Sequence, residues 1–166
     1  MARLSNPRRV PERSRRPPAG PRPRPVEEIL TVLGGDDALA GEVASPEDLL
    51  ARVREGLPFR AASAVTETYG LSRDELCTIL HLSRRNLLRR RTQDRLSPEE
   101  SDRLYRLARV LAHANRVFEE PRASADWIRT PNVALGDEPP LALLDTDLGV
   151  EQVDQVLGRI EHGIVG

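Results

Sequence analysis

Serine recurs in this chain where a helically spaced apolar run begins, and glycine recurs where such a run stops. Ser45-Pro46-Glu47-Asp48 supplies an N-cap, a proline at the first helical position and acids in the first turn, and Gly56 closes the run that follows. Ser72 caps a helix from Arg73 to about Leu80, and Ser83 caps one that begins at Arg84. Ser97-Pro98-Glu99-Glu100 is a capping box opening a long helix that runs to Phe118, ahead of Pro121. Because a capping hydroxyl must meet an amide two or three residues further on, this punctuation commits the chain to short helices with defined starts. Aromatic residues make up only 3% of the 166 residues, so the core is drawn from Leu, Val, Ile and Ala, which favours helices over a sandwich or barrel. An all-α fold is expected, with room for one ordinary domain or two small ones sharing a core.

Charge divides the chain into four parts. All 25 basic residues are arginine, against 26 acids. Net charge is +7 over residues 1–25, −6 over 26–56, +5 over 57–117 and −7 over 118–166. A basic middle between acidic flanks points to an anion-binding module joined to a part with a different partner. Residues 1–25 hold seven of the fourteen prolines and little apolar surface beyond Leu4 and Val10, so they are expected to form a disordered tail. That tail is either a solvated extension or an arginine arm for nucleic acid or an acidic partner. Val26, Ile29, Leu30 and Leu33 then form a short amphipathic helix stopped by Gly34-Gly35, and residues 26–56 as a whole read as small structural helices.

Residues 57–119 carry the first functional signal. Phe59, Ala62, Val65, Thr66 and Tyr69 share a helical face that ends at Gly70, and Leu76, Ile79 and Leu80 form the inner face of the next helix. His81-Leu82 is a tight turn, and Ser83 caps the run Arg84-Arg85-Asn86-Leu87-Leu88-Arg89-Arg90-Arg91. Two short helices, a tight turn and a capped basic helix outline a helix-turn-helix. Arginine forks bind phosphate or the O6/N7 edge of guanine, and asparagine binds adenine through two hydrogen bonds, so Ser83, Arg84, Arg85, Asn86, Arg89 and Arg90 are the candidate DNA-binding residues. The other reading is a solvated arginine face with salt bridges to Asp94, Glu99 or Glu100. Arg90 also falls where the second helix of such a motif usually turns an apolar residue inward.

The long helix carries one stripe, Leu104, Leu107, Ala108, Leu111, Ala114 and Phe118, broadened by Tyr105, Val110 and Val117. A stripe this wide implies a core or a dimer face, and a homo-oligomer is expected from it. Beyond Pro121 the chain turns acidic. Trp127, the only tryptophan, reads as a core anchor, and a final helix opens near Thr146-Asp147 with Val150, Val153, Val156, Leu157 and Ile160 as its buried face and Gly163 as its stop.

Residues 120–166 also bear a resemblance. Trp127-Ile128-Arg129-Thr130-Pro131-Asn132-Val133-Ala134-Leu135-Gly136 leads to Pro140-Leu141-Ala142-Leu143-Leu144-Asp145-Thr146, then to Gly149, Val153 and Leu157, and last to Arg159-Ile160-Glu161-His162-Gly163. This order closely resembles the toxin-binding domain of Xre/MbcA/ParS-type antitoxins, partners of RES-domain toxins. Leu71 to Arg91, followed by Arg95-Leu96-Ser97, resembles the family's Xre-like helix-turn-helix, and the likeness extends over about 57–166. It implies a type II toxin-antitoxin system in which the antitoxin's C-terminal segment covers the active-site cleft of an NAD+-degrading toxin with an ADP-ribosyltransferase-like fold, and autoregulation of the operon by DNA binding. Carried onto this chain, the toxin-binding residues are Arg159, Glu161, His162, Gly163, Ile164, Val165 and Gly166 with its carboxylate. An apolar pair and a terminal carboxylate suit a pocket whose arginines otherwise hold phosphates. A frayed terminus is the competing reading of Gly163–Gly166.

An enzyme is not expected. His81, His113 and His162 are far apart in sequence, no HExxH or CxxC spacing occurs, and no glycine-rich phosphate loop follows a strand. No cofactor and no metal are implied. The single cysteine, Cys77, and the lack of a 20-residue apolar run or a signal-peptide h-region point to a cytoplasmic protein without a membrane partner. A stand-alone helix-turn-helix repressor without a toxin remains the alternative function.

Overall fold

A computed structural model describes residues 25–163, with ten α-helices and no strand among the described residues. Residues 1–24, with the expected tail, and Ile164, Val165 and Gly166 lie outside the described residues. The helices are α1 (Pro25–Val32), α2 (Gly35–Leu39), α3 (Pro46–Glu55), α4 (Phe59–Tyr69), α5 (Arg73–Leu80), α6 (Arg84–Gln93), α7 (Pro98–Phe118), α8 (Pro121–Trp127), α9 (Pro140–Leu143) and α10 (Asp147–Glu161). A 3-10 turn spans Val133–Leu135.

Local chemistry fixes the helix starts. The hydroxyls of Ser45, Ser72, Ser83, Ser97 and Thr146 each accept a hydrogen bond from the backbone N–H three residues on, at 3.1 to 3.2 Å. In the boxes at Ser72 and Ser97, Glu75 and Glu100 return the bond to the cap's own N–H at 2.6 and 2.7 Å. Each such cap contributes on the order of 1 kcal/mol. Gly56 holds φ at +101°, and a Cβ there would run into the carbonyl oxygen of Leu96, so the turn that brings α3 back onto the α6–α7 loop requires glycine. The Leu57 N–H is anchored beside it by the buried Ser101 hydroxyl at 2.7 Å.

α7 is the axis of the molecule, and α1, α3, α5, α8 and α10 all pack against it. Leu104, Leu107, Ala108, Val110, Leu111 and Ala114 are buried among these helices. Of the two uses expected of the stripe, core is the one this chain shows, while Tyr105, Val117 and Phe118 at its margins stay partly buried. Three sequence expectations change. Gly34-Gly35 is not a plain stop, since α2 follows at once and buries Leu39 completely. Trp127 ends α8, only partly buried, with its ring 5.4 Å from that of Phe118. Ile160, assigned to the inner face of α10, is 41% exposed, whereas Val150, Val153, Val156 and Leu157 are buried as expected.

The C-terminal helices are tied to the helix-turn-helix by polar contacts. Arg129 donates to the carbonyls of Tyr69 at 3.0 Å and Gly70 at 2.8 Å, where α4 ends, and lies 3.4 Å from Glu75 on α5. A cation at a helix C-terminus meets the carbonyls that lack intrahelical partners. Nε2 of His81 sits 2.7 Å from the carbonyl of Asp145, and Asn115 donates to the Tyr69 hydroxyl at 2.6 Å. Gly149, in the first turn of α10, packs so closely on α9 that a Cβ would collide with the carbonyl of Leu143.

Candidate functional site

Two surfaces carry the candidate residues. The first is the α5–α6 pair. His81 ends α5 in the left-handed region at φ +55°, a position that favours glycine, and Ser83 starts α6 two residues later. Of the apolar residues on α6, Leu87 is buried and Leu88 is 58% exposed. Arg85, Arg89 and Arg91 are exposed, and their guanidinium groups make no hydrogen bond or ion pair among the described residues. Arg85 and Arg89 lie one turn apart and share a face.

The other two arginines are engaged within the chain. Arg84 meets Asp74 of α5 through two bonds, Nε to Oδ1 at 2.8 Å and Nη2 to Oδ2 at 2.6 Å, and these bonds hold the Asp74 carboxyl below the usual carboxylate range. Arg90 turns inward, as its helical position requires, and its Nε lies 2.8 Å from Oε2 of the buried Glu100. An ion pair with Glu100 stands where an apolar side chain was expected. Ser83 and Asn86 meet through the cap itself, Asn86 N–H to Ser83 Oγ at 3.1 Å.

The second surface is α10 and its end. Along one flank, acids seven residues apart, Asp147, Asp154 and Glu161, face basic groups on α7. Arg106 pairs with Asp147. Nδ1 of His113 is 2.7 Å from Asp154 and its Nε2 is 3.1 Å from Glu161. Arg116 reaches Glu161 at 3.0 Å and Glu28 of α1 at 3.1 Å. Of the predicted toxin-binding residues, Glu161 is therefore paired with α7, although it remains exposed. Arg159 and His162 are exposed, and Gly163 continues in the left-handed region at φ +67°. Arg159 borders a cleft of about 430 Å³ with Gln152, Gln155 and the Ala134–Gly136 turn.

Sequence reasoning missed this ladder. The signal was present in the spacing of seven that separates Arg106 from His113 and Asp147 from Asp154 and Glu161. A His113 held between two carboxylates is fully satisfied only as imidazolium, because the neutral ring has one N–H to donate. The hydrogen bond to Asp154 raises the His113 pKa above its ordinary value, against burial and the repulsion of Arg116. The bond from His113 also lowers Asp154. Burial pushes Glu161 up, but Arg116 and His113 outweigh it and hold it low. Arg109 and Arg116 of α7, Glu28 of α1 and His162 complete the charged surroundings.

A raised histidine pKa stabilises the fold fully below about pH 6.5, and that stabilisation is lost as pH rises through the folded value. The depressed acids act in the opposite sense, stabilising above about pH 4 and failing below it. Thermal unfolding of the wild type is expected to show its Tm falling as pH rises above about 6.5, and His113→Gln is expected to abolish that fall. An identical slope in the variant would refute the assignment.

Comparison with known proteins completes the description. Residues 48–109 match the antitoxin Xre-like helix-turn-helix domain, and residues 113–163 match the antitoxin Xre/MbcA/ParS C-terminal toxin-binding domain. Antitoxin Xre of Yersinia enterocolitica is 32% identical over 118 residues, 70% of this chain and 80% of that protein. The chain belongs to the Xre family of antitoxins. Antitoxin Xre of Photorhabdus laumondii is likewise 32% identical, over 74% of this chain and 84% of its own. The Prs ADP-ribosylating antitoxin of a Sphingobium species is 25% identical over 72% of this chain and 82% of its own.

This Xre-family antitoxin thus has a toxin partner, and the reading as a repressor without one falls away. The helix-turn-helix match begins at Asp48 inside α3, upstream of the start inferred from resemblance. The two matches meet within α7, so a single helix serves both domains. No described helix is long and apolar enough to cross a membrane.

Proposed function

We propose that this antitoxin neutralises a RES-domain toxin that degrades NAD+, with the end of its chain in the toxin's active-site cleft, and that it represses its own operon through α6. The toxin-binding match running to Gly163 is what carries this reading. Its support is physical as well. The inner flank of α10 is committed to α7, while Arg159, Ile160 and His162 stay exposed at its end and can meet a partner together with the residues beyond Gly163. Ile164 and Val165 supply apolar filling for that cleft. A relative named Prs ADP-ribosylating antitoxin supports a toxin that uses NAD+. Both partners are cytoplasmic, and the antitoxin acts there.

Repression rests on the free guanidiniums of Arg85 and Arg89, with Arg84 and Asn86 in the first turn of α6 and Ser83 fixing that turn. Arg90 contributes by fastening the helix to Glu100.

Coexpression with the candidate toxin tests the plug. Ending the chain at Gly163 leaves every described helix intact, so its Tm should match that of the full chain. Growth and NAD+ levels are expected to be protected by the full chain and lost with the shortened one. Full protection by a folded chain ending at Gly163 would overturn the plug and leave docking of α10 as the whole mechanism.

A further inference from the structure

Two ion pairs of the helix-turn-helix stand in solvent, Arg60–Asp94 and Arg84–Asp74, and the second is set apart by its geometry. Both side chains stand in solvent, 78% and 64% exposed, so the pair is no strut of the core, and exposed pairs add little to stability. It is nevertheless bidentate, at 2.8 and 2.6 Å, and it joins the first turn of α5 to the first residue of α6.

The edge that Asp74 occupies matters. A guanidinium has two edges that can present parallel N–H donors, the Nε/Nη2 side and the Nη1/Nη2 end. Asp74 takes the side edge. The end edge remains open, with its direction set by two bonds instead of by a freely rotating side chain. Parallel donors at that spacing match guanine O6 and N7. Leu88, one turn further along the same face, is 58% exposed, and an apolar side chain there finds its counterpart in a thymine methyl group, not in a phosphate.

We propose that Asp74 is a specificity-determining residue that holds Arg84 as a rigid two-donor fork for a guanine in the major groove. This rests on the reading of α6 as the DNA-reading helix. A carboxylate at a DNA-facing surface repels every phosphate equally and so lowers affinity for all sequences. Its return is orientation of one fork, which serves base reading alone. Asp74 is thus a positioning residue, and Arg84 makes the contact.

The full-length chain is titrated, over a range of salt concentrations, against a duplex from upstream of its own gene and against a scrambled duplex of the same length. A duplex selected from a randomised pool replaces the first if the upstream region is not preferred. Asp74→Asn should bind the scrambled duplex more tightly, while its preference for the specific duplex falls at least about tenfold. Arg84→Lys, which keeps the charge but not the fork, should lose a similar preference, and adding Asp74→Asn to it should cost nothing more. Equal tightening on both duplexes with the preference intact would overturn the proposal and make Asp74 a mere shield. A wild-type chain that prefers no duplex, even after selection, would overturn the DNA reading and the proposal together.

Discussion

Arg90→Ala is expected to lower the unfolding free energy by about 2–3 kcal/mol, whereas Arg85→Ala and Arg89→Ala should stay within about 0.5 kcal/mol of the wild type. The three arginines lie on one helix and differ in what they touch. Arg85 and Arg89 lose only solvated guanidiniums. Removing Arg90 leaves the Glu100 carboxylate, 8% exposed, with the Ser97 N–H as its remaining bonded partner. A stranded buried charge generally costs about 3–5 kcal/mol, and the surviving capping bond places this case below that range. Adding Glu100→Gln removes the charge while keeping an oxygen for Ser97, and it should recover more than half of the loss. Urea unfolding followed by circular dichroism reads all four chains. The same set separates anchoring from contact in DNA binding, because an anchor's loss is repaired in the double variant and a lost contact is not. An Arg90→Ala chain as stable as the wild type would refute the buried pair.

Helix starts were legible because a cap is a local event: the Ser45, Ser72, Ser83, Ser97 and Thr146 hydroxyls need only reach an amide three residues away. The destination of an apolar face is not local. The α7 stripe looked wider than one small domain needs because nothing in its own sequence shows that α1, α3, α5, α8 and α10 all converge on it. α2 was missed for a related reason. It has five residues and no side-chain cap, and it owes its place to the burial of Leu39. At the sites, the basic helix and its cap were visible, and so was Glu100 among the acids within reach, but which arginine takes it and the part of Asp74 were not. Arg84 and Asp74 are ten residues apart across a turn, and so are Arg90 and Glu100. Only folding reveals that two of the candidate DNA contacts are already bonded. The α7–α10 ladder was written in heptad spacing, yet on a helix such acids read equally well as a solvated face until the facing helix is known.

Leu157 and Ile160 of α10 separate scaffold from interface at the toxin-binding end. Three residues apart, they lie on neighbouring stretches of the helix surface, yet Leu157 is completely buried and Ile160 is 41% exposed. Leu157→Ala is expected to cost about 3–4 kcal/mol, since it opens a cavity where α10 meets the core. Ile160→Ala should change stability by no more than about 0.5 kcal/mol. Beside the exposed Arg159 and three residues before Gly163, Ile160 offers a partner apolar surface that the fold itself does not use. Ile160→Asp should therefore leave the Tm nearly unchanged and weaken toxin binding at least about tenfold, because burying an unpaired carboxylate in an interface is costly. Calorimetric titration with the toxin and a thermal melt of the free antitoxin read the two effects independently. A drop in Tm of the size seen for Leu157→Ala would make Ile160 a core residue. Unaltered affinity with an unaltered Tm would move the toxin off this flank and leave the segment beyond Gly163 to carry the contact.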